Sequence, residues 1–316
     1  DRGDVAMVGY GAARYALASG NCNEAEKLWP LIEWCLEYCH RQLNADGVVK
    51  SDSDELENRF PAGKANLCTS SLYYDALVSA AYLGKALKKE HKQIKSYQDR
   101  AAELYKNIDA YFARNVEGYD TYRYYDGNTV LRSWICIPLT MGIYDQAKGT
   151  VEALFSDKLW MENGLLTQSG TSTYWDRSTL YAFRGAYSCG ARDIATEYLD
   201  KYSATRLLGD HVPYAVEAWP EGNQRHLSTE SALYCRIMTE GLFGIRPIAL
   251  DAFMMTPQLP ESWNTMSLKR ICAFGSIFDI EVKRDKDDKL LVLIKKDHKI
   301  VKRSKITNGK PIEVRI

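Results

Sequence analysis

The chain has 316 residues, with Lys+Arg and Asp+Glu both at 41, so its formal net charge is zero. That balance lacks the basic excess of a nucleic-acid binder and makes a polyanionic partner unexpected. No apolar run approaches the roughly 20 residues needed to cross a bilayer, so membrane insertion is not expected either. The eight cysteines form no CxxC pair and have no His at ligand spacing, which argues against a zinc site. They read as small core residues, Cys35 and Cys39 lying on one helix face. The first residues, Asp1-Arg2-Gly3-Asp4, are unlike a signal peptide and run straight into helix-like sequence, so an upstream portion with any export signal is expected.

In chain order, apolar residues recur every three or four positions over residues 5–18 and 24–44, with Asn21 to Asn23 and Asp46-Gly47 supplying stop and cap signals. The same pattern returns over residues 72–89 and 95–113, 134–141 and 143–154, 175–190 and 192–202, then 227–244. This is a string of helical hairpins. Turns within pairs are short and polar, as at Gly190-Ala191-Arg192-Asp193, whereas segments between pairs are long, aromatic and charged. Such long loops, at 48–71, 119–132, 163–177 and 209–226, are where function is expected. After about Pro247 the texture changes to alternation and β-branched residues over 266–282 and 290–316, broken by turn clusters such as Asn308-Gly309-Lys310. The spacing therefore predicts a mainly α chain, a string of helical hairpins over 1–246 followed by a small antiparallel β-rich appendage over 247–316.

Twenty-one tyrosines and seven tryptophans make a heavy aromatic load, much of it in those loops: Tyr119, Tyr122, Tyr124, Tyr125, Trp134, Tyr174, Trp175, Tyr214 and Trp219. A sugar presents apolar C–H faces ringed by hydroxyls, so a saccharide site combines flat rings with acids, amides and arginines; the commoner fate of any single aromatic is to cap the core. Two acidic constellations stand beside them. The first is Ser51-Asp52-Ser53-Asp54-Glu55-Leu56-Glu57-Asn58-Arg59-Phe60-Pro61, where crowded like charges raise a carboxyl pKa as a general acid requires. Alone, such a run is ordinarily a solvated loop. The second is Tyr214-Ala215-Val216-Glu217-Ala218-Trp219-Pro220-Glu221-Gly222-Asn223. Two carboxyls on one rim are what inverting glycoside hydrolysis needs, one to protonate the leaving oxygen and one to activate water.

These residues carry a resemblance. Tyr174-Trp175-Asp176-Arg177, the hairpin ending Gly190-Ala191-Arg192-Asp193, the block from Glu217 to Gly244, and Pro257-Gln258-Leu259-Pro260-Glu261-Ser262-Trp263 together resemble the six-hairpin (α/α)6-toroid glycosidases. The groups resembled are the glucoamylase, maltose-phosphorylase and glycogen-debranching-like enzymes. The resemblance implies a glycoside hydrolase acting on an oligo- or polysaccharide. Asp54-Glu55 matches the family's "D-E", which makes Glu55 the general acid. Glu217 matches a glutamate preceding the last helix and Glu221-Gly222 an "E-G" pair, which makes one of them the base, Glu217 being favoured. Asp54, Arg59, Asn66, Trp134, Tyr174, Trp175, Asp176, Arg177, Trp219 and His226 are the expected substrate-binding residues. The chemistry requires no metal or organic cofactor. The family analogy also implies a periplasmic or secreted enzyme. Two departures, Trp-Asp-Arg in place of Trp-Arg-Gly and Asn-Gln-Arg-His after Glu221-Gly222, leave the sugar and the choice of hydrolysis over phosphorolysis unassigned. Polysaccharide lyases and sugar epimerases use the same toroid with His or Tyr as base, for which His211 and His226 are candidates, and a non-catalytic carbohydrate-binding protein would keep the aromatic platforms.

Overall fold

The computed structural model describes residues 2–51, 53, 60–208, 218–219 and 228–316, with the backbone alone described for residues 2, 218–219 and 228–229. Nine α-helices are found there: α1 (Arg2–Ser19), α2 (Cys22–Arg41), α3 (Leu67–Ala86), α4 (His91–Phe112), α5 (Ile137–Met141), α6 (Ala147–Leu154), α7 (Asp176–Ser188), α8 (Arg192–Arg206) and α9 (Ser228–Arg236). A 3-10 turn, Ser133–Cys136, leads into α5, and a π-helical segment, Ile237–Leu242, continues α9.

Burial separates the helices into two layers. α2 buries one stripe, Ala25, Trp29, Ile32, Cys35, Leu36 and Cys39, at the three- and four-residue spacing of a helix with one covered face. α4 and α8 behave alike, the latter through Ala195, Leu199, Tyr202 and Arg206. By contrast α3 and α7 are buried on nearly every side. α3 packs against α1 and α5, and α5 and α9 pack against α7, so α1, α3, α5, α7 and α9 form an inner ring. α2, α4, α6 and α8 return outside it, so the inner helices all point the same way. This is the toroid of helical hairpins expected from the sequence.

Caps explain the boundaries. Asn21 accepts hydrogen bonds from the amides of Asn23 (3.0 Å) and Glu24 (3.2 Å) at the start of α2. Asn66 accepts one from Thr69 (2.9 Å) and starts α3 five residues earlier than periodicity suggests. Gly142, at φ 86°, ends α5 in the left-handed region that glycine tolerates. α6 begins at Ala147 and not near residue 143, because Ile143 to Gln146 form the turn after that glycine.

Short strands lie between the hairpins: β1 (Ala113–Val116) with β2 (Tyr119–Tyr122), β3 (Trp160–Met161) with β4 (Gly164–Leu165), and β5 (Tyr174–Trp175) with β6 (Ala218–Trp219). The later strands are β7 (Ile245–Ala249), β8 (Ala252–Met255), β9 (Thr265–Ala273), β10 (Ser276–Arg284), β11 (Leu290–Lys296), β12 (Lys299–Ile306) and β13 (Ile312–Arg315). They make two antiparallel sheets, ordered β13-β8-β7 and β12-β11-β10-β9. Phe253 of the first sheet stacks on Phe274 and Phe278 of the second at 5.0 and 5.6 Å, so one core runs through both.

β7 packs on α1 and α3, so the first sheet covers the C-terminal end of the inner ring. The β9-β10 turn also locks onto α1, where Phe274 and Gly275 donate to the carbonyls of Ala18 (2.6 Å) and Ser19 (3.2 Å). Gly20 permits this contact: a Cβ there would fall 2.1 Å from the Gly275 nitrogen.

The cysteines are a partial correction. Cys35, Cys39, Cys68 and Cys136 are buried, but Cys22, Cys235 and Cys272 are exposed and Cys189 is half-buried, so not all eight serve as core residues. Cys22 is the first residue of α2, where the capping turn faces solvent. Among the described residues no helix is long and apolar enough to cross a membrane.

Candidate active site

The segments entering the inner helices meet at one end of the ring. Leu67, opening α3, donates its amide to Tyr124 (2.9 Å), and Asn66 bridges to Tyr125. Ser133, opening the 3-10 turn, donates to Thr167 (3.1 Å), Arg132 bridges to Gln168, and Leu166 bridges to Tyr174. Tyr174 and Trp175 then pair with Trp219 and Ala218 just before α7. Each contact ties one helix N-terminus to the next and gathers their positive dipole ends around a common mouth.

Aromatic rings and charges fill the floor of this mouth. Trp134 lies edge-on to Trp175 at 4.5 Å and to Tyr181 at 5.5 Å. The Arg132 guanidinium is sandwiched between Phe60 (4.9 Å) and Tyr124 (4.7 Å) and donates to the Pro61 carbonyl (3.1 Å). Asp176 is fully buried and receives a 2.9 Å hydrogen bond from Arg206. Burial and then the nearby Asp176 carboxylate push the Tyr202 phenol well above its ordinary pKa, so it stays protonated beside that pair. Arg177 lies over the Trp175 ring at 5.8 Å and donates to buried Glu230 at 2.8 Å.

Glu117 braces the loop that carries Arg132. It accepts from the Leu131 amide (2.7 Å), Ser169 (3.1 Å) and Lys158 (3.3 Å). Burial raises its pKa, but these three donors outweigh that and hold the carboxyl below the usual range.

Trp134, Trp175, Asp176, Arg177 and Tyr174 are thus brought together at the mouth, with Trp134, Trp175 and Asp176 buried beneath its surface. Asn66 is the cap of α3, and its amide donates to the Ser53 carbonyl at 3.2 Å. The backbone of Trp219 pairs with Tyr174. Glu55, Glu217, Glu221, Asp54, Arg59 and His226 lie outside the described residues. Ser53 and Phe60, which bracket the segment holding Glu55, and β6, which follows Glu217 directly in the chain, are described.

Sequence reasoning missed Arg132, Arg206 and Glu230. Arg132 had a signal, as the single arginine between two aromatic loops. Glu230, three residues into α9, and Arg206, at the end of an outer helix, look like ordinary helix-end charges until the fold turns them inward. Among the described residues no group of three or more His, Cys, Asp or Glu side chains is placed to hold a metal ion.

No family model matches the chain, and no match is found among curated proteins. Its fold is nevertheless shared with solved structures. A sialidase superposes with a TM-score of 0.72 at 15% identity, covering 96% of this chain and 32% of its own. The GH78 family rhamnosidase of Bacillus sp. GL1 gives 0.57 at 13% identity, covering 90% and 29%. An α-L-rhamnosidase from Dictyoglumus thermophilum gives 0.53 at 12%, covering 94% and 37%. The chain therefore spans about a third of the length of these toroid proteins and has the six-hairpin fold read from its sequence.

Proposed function

We propose that this chain forms the toroid of a glycoside hydrolase that cleaves an oligo- or polysaccharide with inversion, using two carboxylates carried at the mouth of the inner ring. One observation carries the reading. The described residues that neighbour the two acidic segments lie at the same end of the toroid, Ser53 against the Asn66 cap of α3 and Ala218-Trp219 in the β5-β6 pairing that opens α7. The names of the superposing structures, a sialidase and two rhamnosidases, support glycosidic bonds as the target.

In this mechanism Glu55 protonates the glycosidic oxygen, and Glu217, with Glu221 as the other candidate, deprotonates the water that attacks the opposite face of the anomeric carbon. The Trp134, Trp175 and Tyr174 cluster shapes the sugar-facing floor. The Arg177-Glu230 pair and the Arg206-Asp176 pair hold that floor in register, with Arg177 and Asp176 closest to the strand that bears Trp175. Asp54, Arg59, Asn66, Trp219 and His226 complete the binding groups.

The test is a hydrolysis screen of aryl α-L-rhamnosides, sialosides and short neutral oligosaccharides. Wild type is compared with Glu55→Gln and Glu217→Gln, with proton NMR of the first product anomer. Turnover with initial inversion, reduced by about 10²–10⁴-fold in each variant, is expected for loss of a general acid or base. Activity retained in both variants, or an unsaturated or epimerised product, would overturn the two-carboxylate reading.

A further inference from the structure

The inner ring carries a second charged layer deeper along its axis. Asp75 and Arg184 each lie eight residues beyond the first residue of their helix (Leu67 and Asp176), about 12 Å below the mouth, and Tyr10 and Arg236 join this layer, Arg184 and Arg236 both reaching the Tyr10 hydroxyl. Arg14 and Glu240 sit one turn further on, and Arg246 of β7 reaches in from the sheet. Arg14 grips Asp75 through two hydrogen bonds of 2.9 and 3.1 Å and reaches Glu240 at 2.7 Å. Arg246 also donates to Asp75, and Arg236 donates twice to Glu240. Arg184 and Arg236 both donate to the Tyr10 hydroxyl, the former at 2.9 Å.

Among the described residues of this layer the charges do not balance. Four guanidiniums face two carboxylates whose oxygens are already engaged by Arg14, Arg236 and Arg246. Arg184 is 2% exposed, and its Nη1 has no hydrogen bond among the described residues; its nearest carboxylate oxygen, on Glu240, is 3.6 Å away. A cavity of about 110 Å³ opens here, lined by Arg14, Arg184, Arg246, Glu240, Thr140 and Ser188 among others. The two hydroxyls bring no donor to it, since Thr140 and Ser188 donate to the carbonyls of Ile137 and Arg184. A surplus of positive charge around the buried Arg184 guanidinium is unfavourable unless an anion compensates it. Guanidinium forks match the paired oxygens of carboxylate, phosphate or sulfate better than a spherical halide.

We propose that the sheet-covered end of the toroid contains an internal site for a small oxyanion, with Arg184 and Arg246 as its ligands and Arg14 behind them. The site lies below the mouth, on the side of the inner ring that the first sheet covers, and is independent of the hydrolytic reading. The same field acts on Tyr10: burial raises its phenol, but Arg184, Arg236 and Arg14 outweigh that and lower it, so this part of the ring favours negative charge.

The test titrates the whole chain with inorganic phosphate, sulfate and acetate by isothermal calorimetry, with sodium chloride at matched ionic strength as control. Saturable one-to-one binding of phosphate or sulfate marks a tetrahedral oxyanion, and of acetate a carboxylate. Either should weaken at least about tenfold in Arg246→Gln, as expected for loss of a charge-assisted pair. In case that variant does not fold, wild-type crystals grown with selenate provide a second readout, an anomalous peak beside Arg184 Nη1. The absence of saturable binding, an unchanged affinity in a folded Arg246→Gln, a chloride response equal to that of the oxyanions, or selenate density only outside the cavity would overturn the proposal.

Discussion

Both ends of the inner ring bury arginines, but they do so under different rules. At the mouth, Arg206 and Arg177 each face a buried carboxylate of their own, Asp176 and Glu230. At the sheet-covered end, four guanidiniums share Asp75, Glu240 and the Tyr10 hydroxyl. The contrast teaches that a buried ion pair cannot be valued by its length alone. Where one guanidinium faces one buried carboxylate, removing the cation takes away that anion's charge partner; where several guanidiniums share a carboxylate, removing one leaves it another.

The sharpest way to break this comparison is to delete one arginine at each end. Arg206→Met leaves buried Asp176 without its guanidinium and is expected to cost about 3–5 kcal/mol in urea unfolding. Arg246→Gln leaves Asp75 held by both arms of Arg14, and a loss below about 1 kcal/mol is expected. Equal losses would show that the two ends obey one rule.

Acid titration sharpens it further. Burial would raise the Asp75 and Glu240 carboxyls, but the surrounding arginines outweigh burial and hold both below the usual carboxylate range. With folded pKa values depressed, their stabilisation is complete above the unfolded carboxylate pKa of about 4 and is lost as pH falls below it. The melting temperature should therefore hold steady down to about pH 5 and then drop, with a shallower acid limb in Asp75→Asn. A smaller effect is spectroscopic: the phenolate absorbance of Tyr10, isolated by difference against Tyr10→Phe, should rise at a pH below the ordinary tyrosine pKa of about 10. The smallest change in stability belongs to Arg177→Lys at the mouth. It replaces a guanidinium lying over Trp175 with a point charge, and should cost about 1 kcal/mol or less. If Arg177 holds sugar, KM should rise with kcat nearly unchanged.

The outer helices were the most legible part of the sequence, because one covered face imposes a three- and four-residue rhythm, as in Trp29, Ile32, Leu36 and Cys39. α3 and α7 show the same rhythm over most of their length but are covered nearly all round, and the first turn of α3, set by the Asn66 cap, lies outside the periodic stretch. β2 falls within the loop expected over 119–132, because a four-residue strand is too short to show a clear alternation. Aromatic residues did mark the mouth, yet Tyr122, Tyr124, Trp134 and Trp175 are buried and form its floor. The axial charges were not legible at all. Asp75, Arg184 and Glu240 sit at spacings that a solvated helix face would also show, and only the ring's closure reveals that they point inward.

The equal distance of Asp75 and Arg184 from the starts of α3 and α7 bears on how such a chain can change length. Connecting loops that precede the inner helices can gain or lose residues without disturbing that layer, since each group is counted from its own helix start. A single deletion within the first eight residues of α3 or α7 swings the group about 100° around the helix axis and lifts it about 1.5 Å. Length variation in a lineage of such toroids should therefore collect in the loops at the mouth, leaving the helical part of each hairpin fixed in length.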